Sequence, residues 1–91
     1  MKQLWYFSAD WCGPCKQFGP VMDELAKPCL ARPQGISIKK LNIDYTPDIA
    51  KRYGIKSVPT VILVENEQEK ARFTGALPMQ QVIDFYNQKN G

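Results

Sequence analysis

The sequence predicts an α/β domain in which strands and helices alternate in the order β-α-β-α-β-β-α. Apolar runs of strand length alternate with stretches of helical periodicity, and Gly and Pro residues mark the short connections between them. The chain has 91 residues, of which 44% are apolar, which is enough to bury one hydrophobic core. We therefore expect residues 1–91 to form a single domain.

The first half of the chain predicts a strand, a helix and a second strand. An apolar and aromatic run within residues 1–8 is typical of a buried strand. Residues 36–43 predict the second strand, in which Lys40 shares a face with Ile38. Between them, apolar residues at spacings of three and four mark the buried face of a helix over about residues 12–27: Phe18, Val21, Met22 and Leu25.

The middle of the chain predicts a short helix and a central strand. Thr46, followed by a proline and an acidic residue, is typical of a helix start, and Gly54 is typical of a helix end. A short helix is therefore expected between them. Residues 59–64 are the most apolar run and are rich in β-branched side chains. We expect this run to be a central strand that is buried on both faces.

The last third predicts an antiparallel hairpin and a final helix. A polar turn at residues 65–68 connects the central strand to a partner strand at residues 70–74. A helix then begins near Pro78, and the chain frays over residues 87–91. The apolar stripe of this helix consists of Val82, Ile83, Phe85 and Tyr86.

Charge and composition argue against several classes of function. Twelve Lys and Arg residues against nine Asp and Glu residues give a formal charge of +3, and the basic residues are scattered along the chain. This pattern does not favour nucleic-acid binding. The N-terminal apolar run is too short for a signal peptide or a membrane span, so we expect a cytoplasmic protein without a membrane partner.

Three cysteines and no histidine restrict the chemistry further. Cys12 and Cys15 form a C-x-x-C pair after a predicted strand, which is typical of a redox couple. A structural zinc site needs four ligands, and the chain offers Cys12, Cys15 and Cys29 as its soft ones, so we expect no metal and no cofactor. We interpret Cys29 as a structural or incidental free thiol, with a regulatory or dimerising disulfide as the alternative.

Several motifs carry a family resemblance. W-C-G-P-C-K at residues 11–16 is followed by Pro20 in the predicted helix, K-L-N-I-D at 40–44, Y-G-I at 53–55 and V-P-T at 58–60. In this combination and order, the chain resembles the thioredoxin family over nearly its whole length. The resemblance implies a four-stranded mixed sheet flanked by three helices, with the dithiol at a helix N-terminus and a cis peptide bond before Pro59.

The chain departs from the usual family pattern in two ways. Thioredoxins usually have a further strand and helix before the first strand predicted here, so the chain resembles a shorter version of the fold, of glutaredoxin-like size. They also usually carry a buried aspartate six residues before the first cysteine, where this chain has Tyr6. The route by which Cys15 loses its proton is therefore open, with Lys40 and Tyr6 as candidates for proton handling.

The resemblance implies a thiol–disulfide oxidoreductase that reduces protein disulfides. A helix N-terminus lowers the pKa of a cysteine thiol, which favours Cys12 as the nucleophile that forms a mixed disulfide. Cys15, expected to be less exposed, then attacks Cys12 and releases the reduced substrate. We expect Gly13 and Pro14 to set the ring geometry and the redox poise, with Trp11, Lys16 and Pro59 as supporting residues.

The same resemblance implies a substrate surface and partners. We expect Trp11, Val58, Pro59 and Gly75 to contact substrate, with the Val58 backbone pairing to an extended segment and Gly75 serving either there or as a hairpin end. The partners are disulfide-containing proteins and an electron donor resembling thioredoxin reductase, and the chain acts as a monomer. The alternatives are a glutathione-linked, glutaredoxin-type reductase and a non-catalytic binding module that uses the surface around the dithiol.

Overall fold

The computed structural model describes residues 2–30 and 32–87, and its elements follow the predicted order. Met1 lies outside the described residues, as do residues 88–91, where most of the predicted fraying falls. The strands are β1 (Lys2–Ser8), β2 (Ile38–Asn42), β3 (Thr60–Glu65) and β4 (Gln68–Thr74). The helices are α1 (Gly13–Ala26), α2 (Pro47–Arg52) and α3 (Met79–Asn87).

The strands form a four-stranded mixed sheet, as the resemblance implied, and their order in the sheet is β2-β1-β3-β4. β1 pairs in parallel with β2 and antiparallel with β3, and β3 pairs antiparallel with β4. The prediction of a central strand at residues 59–64 is confirmed, because β3 has a neighbour on each side and is buried from Thr60 to Val64. Tyr6 on β1 lies opposite Lys40 on β2, and this register matters for the site described below.

The two faces of the sheet bury different sets of side chains, because neighbouring residues of a strand point in opposite directions. On one face, Leu4, Tyr6, Val61 and Leu63 pack against the buried face of α1 and against Val82 of α3. On the other face, the cluster of Phe7, Leu41, Ile62 and Val64 packs against Ile49 and Tyr53, at and just beyond α2. The sheet therefore lies between α1 and α3 on one side and α2 on the other.

Helix α1 carries the predicted apolar face and positions the C-x-x-C pair. The helix continues through Pro20. Its buried residues recur at spacings of three and four: Cys15, Phe18, Met22 and Leu25. The Phe18 ring meets the Tyr6 ring edge to face, with 5.6 Å between ring centroids. Burial of a large apolar side chain of this kind contributes about 1.5–3 kcal/mol to stability, so α1 is held firmly to the sheet.

Two local details differ from the sequence prediction. Thr46 precedes α2 but does not cap it through its side chain, because its hydroxyl donates a hydrogen bond to the Asn42 carbonyl oxygen at 2.9 Å. The hairpin turn is also tighter than predicted, with Asn66 and Glu67 alone between β3 and β4. Both have positive φ angles, 53° and 67°, which is the backbone of the type I′ turn that suits the twist of a two-residue hairpin.

Candidate active site

Cys12 and Cys15 lie at the N-terminus of α1 and are joined as a disulfide. Cys12 is the N-cap residue and has an extended backbone, whereas Cys15 lies in the first turn of the helix; their Cα atoms are 5.3 Å apart. The backbone N–H of Cys15 donates a hydrogen bond to Cys12 Sγ at 3.2 Å. The prediction that the dithiol stands at a helix N-terminus is confirmed.

The N-cap position determines what the Cys12 sulfur can do once the disulfide is reduced. The first turn of a helix has unpaired N–H groups and the positive end of the helix dipole, both of which favour a negative charge at the cap. Pro14 fits in this turn because its missing N–H would have had no partner within the helix. A side chain at Gly13 would meet no atom within 4 Å, so packing does not require glycine there.

The two cysteines are almost equally buried, whereas a difference in burial was expected from the sequence. Cys15 was expected to be the less exposed cysteine, but Cys12 is 4% exposed and Cys15 is 6% exposed. Both pack in one small cluster with Ala9, next to Ile43 and Val58. The expectation was wrong for the oxidised form because the disulfide holds both sulfurs against the same cluster.

The backbone around Pro59 lies beside Cys12. The Val58–Pro59 peptide bond is cis, as the resemblance implied, and the Val58 carbonyl oxygen lies 3.6 Å from Cys12 Sγ. Gly75 donates its backbone N–H to the Pro59 carbonyl oxygen at 2.8 Å, so the end of β4 reaches the same place. Gly75 has a φ of 85° and is exposed, so the backbone at this hairpin end favours glycine. The structure thus brings Val58, Pro59 and Gly75 together next to Cys12.

Trp11 adds an aromatic surface immediately before the disulfide. Its side chain is 67% exposed, and its indole N–H donates a hydrogen bond to the Asp44 carboxylate at 3.1 Å. Asp44 follows β2 in the chain, so this bond joins the loop before α1 to the connection between β2 and α2. The bond orients the ring and leaves most of it exposed for contact with another molecule.

A polar pocket of about 240 Å³ lies on the other side of the disulfide, against Cys15. It lies between the end of β1, the start of α1 and β2, and it includes two lysines, one aspartate and two hydroxyl groups. Besides Cys15, its polar lining consists of Tyr6, Ser8, Asp10, Lys16 and Lys40. Two sequence-predicted residues, Tyr6 and Lys40, therefore lie close to Cys15, and Lys16 of the C-G-P-C-K motif lines the same pocket.

Tyr6 is tied to Cys15 through the backbone. Its hydroxyl donates a hydrogen bond to the Cys15 carbonyl oxygen at 3.2 Å. Burial raises the pKa of the Tyr6 hydroxyl above its usual value, a hydrogen bond with Ser8 lowers it, and the charge of Asp23 raises it further. The net effect is a raised pKa, so near neutral pH Tyr6 is an uncharged hydrogen-bond donor and not a proton acceptor.

Lys40 has an acidic partner that the sequence analysis did not identify. Its ammonium group lies 2.6 Å from the carboxylate of Asp23, which projects from α1. Both side chains are about half exposed, so the pair is near solvent and contributes little to stability, about 0–1 kcal/mol. Lys40 and Ile38 lie on the α1 side of the sheet, as the strand pattern predicted, and Lys40 lines the pocket next to Cys15.

Sequence reasoning missed three further residues at this site. Asp10, Ser8 and Asp23 were not singled out from the sequence. Asp10 and Ser8 line the pocket at Cys15, and Asp23 holds Lys40. The available signal was the position of Asp10, two residues after the end of the first strand and five residues before Cys15.

Other features of the described residues lie away from the disulfide. A larger hollow of about 500 Å³ lies on the α2 side of the sheet, near the start of β1, and is lined by Trp5, Tyr53 and Val64. The disulfide, in contrast, follows the end of β1. Cys29 is an exposed free thiol. Within residues 2–30 and 32–87, no group of three or more His, Cys, Asp or Glu side chains is arranged to hold a metal ion. In the same residues, no helix has the length and apolar character needed to cross a membrane.

Comparison with known proteins identifies the family. The Thioredoxin family model matches residues 2–88. The chain belongs to the thioredoxin family. The thioredoxin of Haemophilus influenzae is 42% identical over 82 residues, which cover 90% of this chain and 74% of the relative. The chloroplastic thioredoxin M5 of Oryza sativa subsp. japonica is 43% identical over 83 residues, which cover 88% of this chain and 46% of the relative.

Family and geometry together define the chemistry of this thioredoxin-family chain. The chain spans about three quarters of its bacterial relative and about half of the rice relative. Its matching part contains the Cys12–Cys15 disulfide at a helix N-terminus, which is the arrangement of a thiol–disulfide redox couple. The relatives described here are thioredoxins, and a glutaredoxin-type function is not favoured.

Proposed function

We propose that this chain reduces disulfide bonds in other proteins, with Cys12 as the nucleophile and Cys15 as the resolving cysteine. The observation that carries the proposal is the Cys15 N–H aimed at Cys12 Sγ at 3.2 Å. This bond, together with the helix N-terminus, stabilises a thiolate at Cys12 after reduction. Among the described residues, no backbone N–H donates such a bond to the Cys15 sulfur, which supports the assignment of the two roles.

In the proposed reaction, the Cys12 thiolate attacks one sulfur of the substrate disulfide. A Cys12–substrate disulfide forms, and the second substrate sulfur leaves as a thiolate and takes up a proton. Cys15 then loses its proton and attacks Cys12 Sγ, which releases the first substrate sulfur as a thiolate. The substrate gains two electrons, and the Cys12–Cys15 disulfide described here is the oxidised product.

The substrate binds across the surface next to Cys12. We propose that an extended substrate segment pairs with the Val58 backbone in β fashion, with Pro59 and Gly75 beneath it and Trp11 beside it. The exposure of the Trp11 ring and the position of Val58 beside Cys12 support this arrangement. Gly13, Pro14 and Lys16 complete the site by shaping the first turn of α1.

A separate reductase resembling thioredoxin reductase returns the electrons to the Cys12–Cys15 pair. We also propose that the chain acts as a cytoplasmic monomer. Protein-disulfide reduction requires a compartment that keeps thiols reduced, and both cysteines and their neighbours come from a single chain.

Trapping of the mixed disulfide tests the proposal. All variants carry Cys29→Ser, which removes the exposed third thiol. With a disulfide-bonded model protein as substrate, Cys15→Ser is expected to accumulate a covalent adduct that dithiothreitol releases, because the second step is blocked. Cys12→Ser, the matched control, is expected to accumulate none and to lose at least about a thousandfold in turnover. Mass spectrometry of the adducts gives the readout.

Two outcomes would contradict the proposal. An adduct on Cys12→Ser and none on Cys15→Ser would reverse the roles of the two cysteines. If wild-type protein fails to reduce the substrate and the double variant Cys12→Ser, Cys15→Ser still supports a partner protein, the chain acts as a binding module and not as a reductase.

A further inference from the structure

The second step of the proposed reaction requires Cys15 to lose a proton. A thiolate attacks a disulfide far better than a thiol does, and a residue inside the first helical turn lacks the stabilisation that a cap position receives. The proton must therefore pass to a group that faces the Cys15 side of the disulfide. The 240 Å³ pocket is where the structure places such groups.

Most polar groups of this pocket are unsuited to accept a proton. Tyr6 is an uncharged donor whose hydroxyl is already bonded to the Cys15 carbonyl oxygen. Lys16 and Lys40 carry ammonium groups, which have no lone pair to accept a proton. A hydroxyl such as that of Ser8 is a weak base. Asp23 binds Lys40 and does not line the pocket.

Asp10 has the required chemistry and position. It is the carboxylate among the described residues that line the pocket with Cys15. Its two oxygens accept hydrogen bonds from the Asn42 side-chain amide at 3.1 Å and from the Tyr45 hydroxyl at 3.4 Å. A carboxylate has about four acceptor sites, so these two bonds leave capacity for water.

The pocket is large enough for a water-mediated proton transfer. Its volume of about 240 Å³ has room for several water molecules, each of which occupies about 30 Å³ in the liquid. A general base can act through one intervening water. Asp10 is also exposed, so it can pass the proton on to solvent and return to its ionised form.

We propose that Asp10 accepts the proton of the Cys15 thiol through water in this pocket; the proposal rests on the reductase function proposed above. As the proton leaves, the Cys15 thiolate attacks Cys12 Sγ, the Cys12–substrate bond breaks, and its electron pair leaves on the substrate sulfur. In the reverse direction, when a reductase opens the Cys12–Cys15 disulfide, protonated Asp10 returns a proton to Cys15. Lys16 and Lys40 line the same space and offset the negative charge during both steps.

A two-phase assay separates the two chemical steps. In a Cys29→Ser background, reduced protein is mixed in a stopped-flow instrument with excess aromatic disulfide whose thiol product absorbs light. The first thiol equivalent reports attack by Cys12, and its rate depends on concentration. The second equivalent reports attack by Cys15, and its rate does not depend on concentration. The rates are measured from pH 6 to pH 9.

Asp10→Asn is expected to slow the second phase at least about tenfold at pH 6 and to leave the first phase unchanged. The difference in second-phase rate between Asp10→Asn and the unmodified protein should narrow toward pH 9, because solvent then removes the thiol proton without Asp10. Asp10→Glu is expected to restore part of the rate. Asp48→Asn removes the same charge from an exposed site on α2 that does not line this pocket, and should match the unmodified protein.

Three results would overturn the inference: an unchanged second phase in Asp10→Asn at every pH, a deficit that is equal at all pH values, or an equal deficit in Asp48→Asn. A uniform deficit would indicate a structural effect, and a deficit in both variants would indicate an effect of net charge. If the protein with native Asp10 releases one thiol equivalent and no second, the reductase proposal itself fails. That result is distinct from the other three.

Discussion

The surroundings of Cys12 and Cys15 differ although both residues are almost fully buried. Beside Cys12 lie backbone groups, with the Val58 carbonyl oxygen 3.6 Å from its sulfur and the Pro59 segment close by. Beside Cys15 lie side chains that carry charge or hydroxyl groups, and they enclose a pocket. Burial alone therefore does not distinguish the two cysteines, but the chemistry of their neighbours does.

This difference follows from where each cysteine stands on α1. Cys12 is the N-cap residue of the helix and lies next to the loop before β3. Cys15 lies one turn further, on the helix face that is buried against β1 and β2. The comparison teaches that a spacing of three residues is enough to place one sulfur beside backbone groups and the other beside charged and hydroxyl side chains.

The largest effect is expected for Tyr6→Phe, which changes the Cys15 side alone. The variant removes the Tyr6 hydroxyl as a second donor to the Cys15 carbonyl oxygen, so the free energy of unfolding should fall by about 1–1.5 kcal/mol. Urea unfolding at pH 7 measures this loss. Tyr86→Phe is the matched control, since within the described residues its hydroxyl makes no hydrogen bond, and it should change stability by less than about 0.5 kcal/mol.

The pH dependence of stability in wild type and Tyr6→Phe gives the sign of the contribution that Tyr6 makes to the free energy of unfolding. Because the folded protein raises the pKa of Tyr6 above 10.0, its neutral form is favoured in the fold. The contribution of Tyr6 to the free energy of unfolding is fully present below pH 10 and is lost as the pH rises through the raised pKa of Tyr6. The stability difference between wild type and Tyr6→Phe should therefore shrink above pH 10. A difference that grows there would contradict the assignment.

A smaller effect is expected for Trp11→Ala, which changes the Cys12 side alone. Loss of the exposed ring should lower kcat/KM for a protein disulfide about fivefold, equivalent to about 1 kcal/mol of transition-state binding. A small aromatic disulfide, which covers less surface, should lose less than about twofold. Equal losses for both substrates would mean that Trp11 acts on the dithiol and not on substrate contact.

The smallest effect is expected for Lys40→Met, at the rim of the Cys15 pocket. The half-exposed pair with Asp23 should contribute about 0–1 kcal/mol, and less at high salt. Urea unfolding at low and high ionic strength measures this. The sequence-based hypothesis that Lys40 takes part in proton handling predicts a slower second phase in the two-phase assay. An unchanged rate and pH profile would remove Lys40 from the mechanism.

Local sequence patterns were sufficient for the elements and for the placement of the dithiol. The periodicity of Phe18, Met22 and Leu25 identified the buried face of α1, and the β-branched run identified the central strand. Patterns were insufficient where a side chain has more than one possible partner. Thr46 has the composition of a helix cap, yet its hydroxyl donates a hydrogen bond to the Asn42 carbonyl oxygen, four residues earlier in the chain.

The sequence by itself determined the fold class, the family and the redox pair, because a spacing of three residues at a helix start is a local property of the chain. Tertiary structure alone decided which groups face each sulfur. Val58 lies beside Cys12 across 46 residues of sequence, and Asp10, Tyr6 and Lys40 meet at Cys15 because β1, β2 and α1 converge there. No periodicity encodes these contacts, since they depend on strand register and on how the helix packs across the sheet.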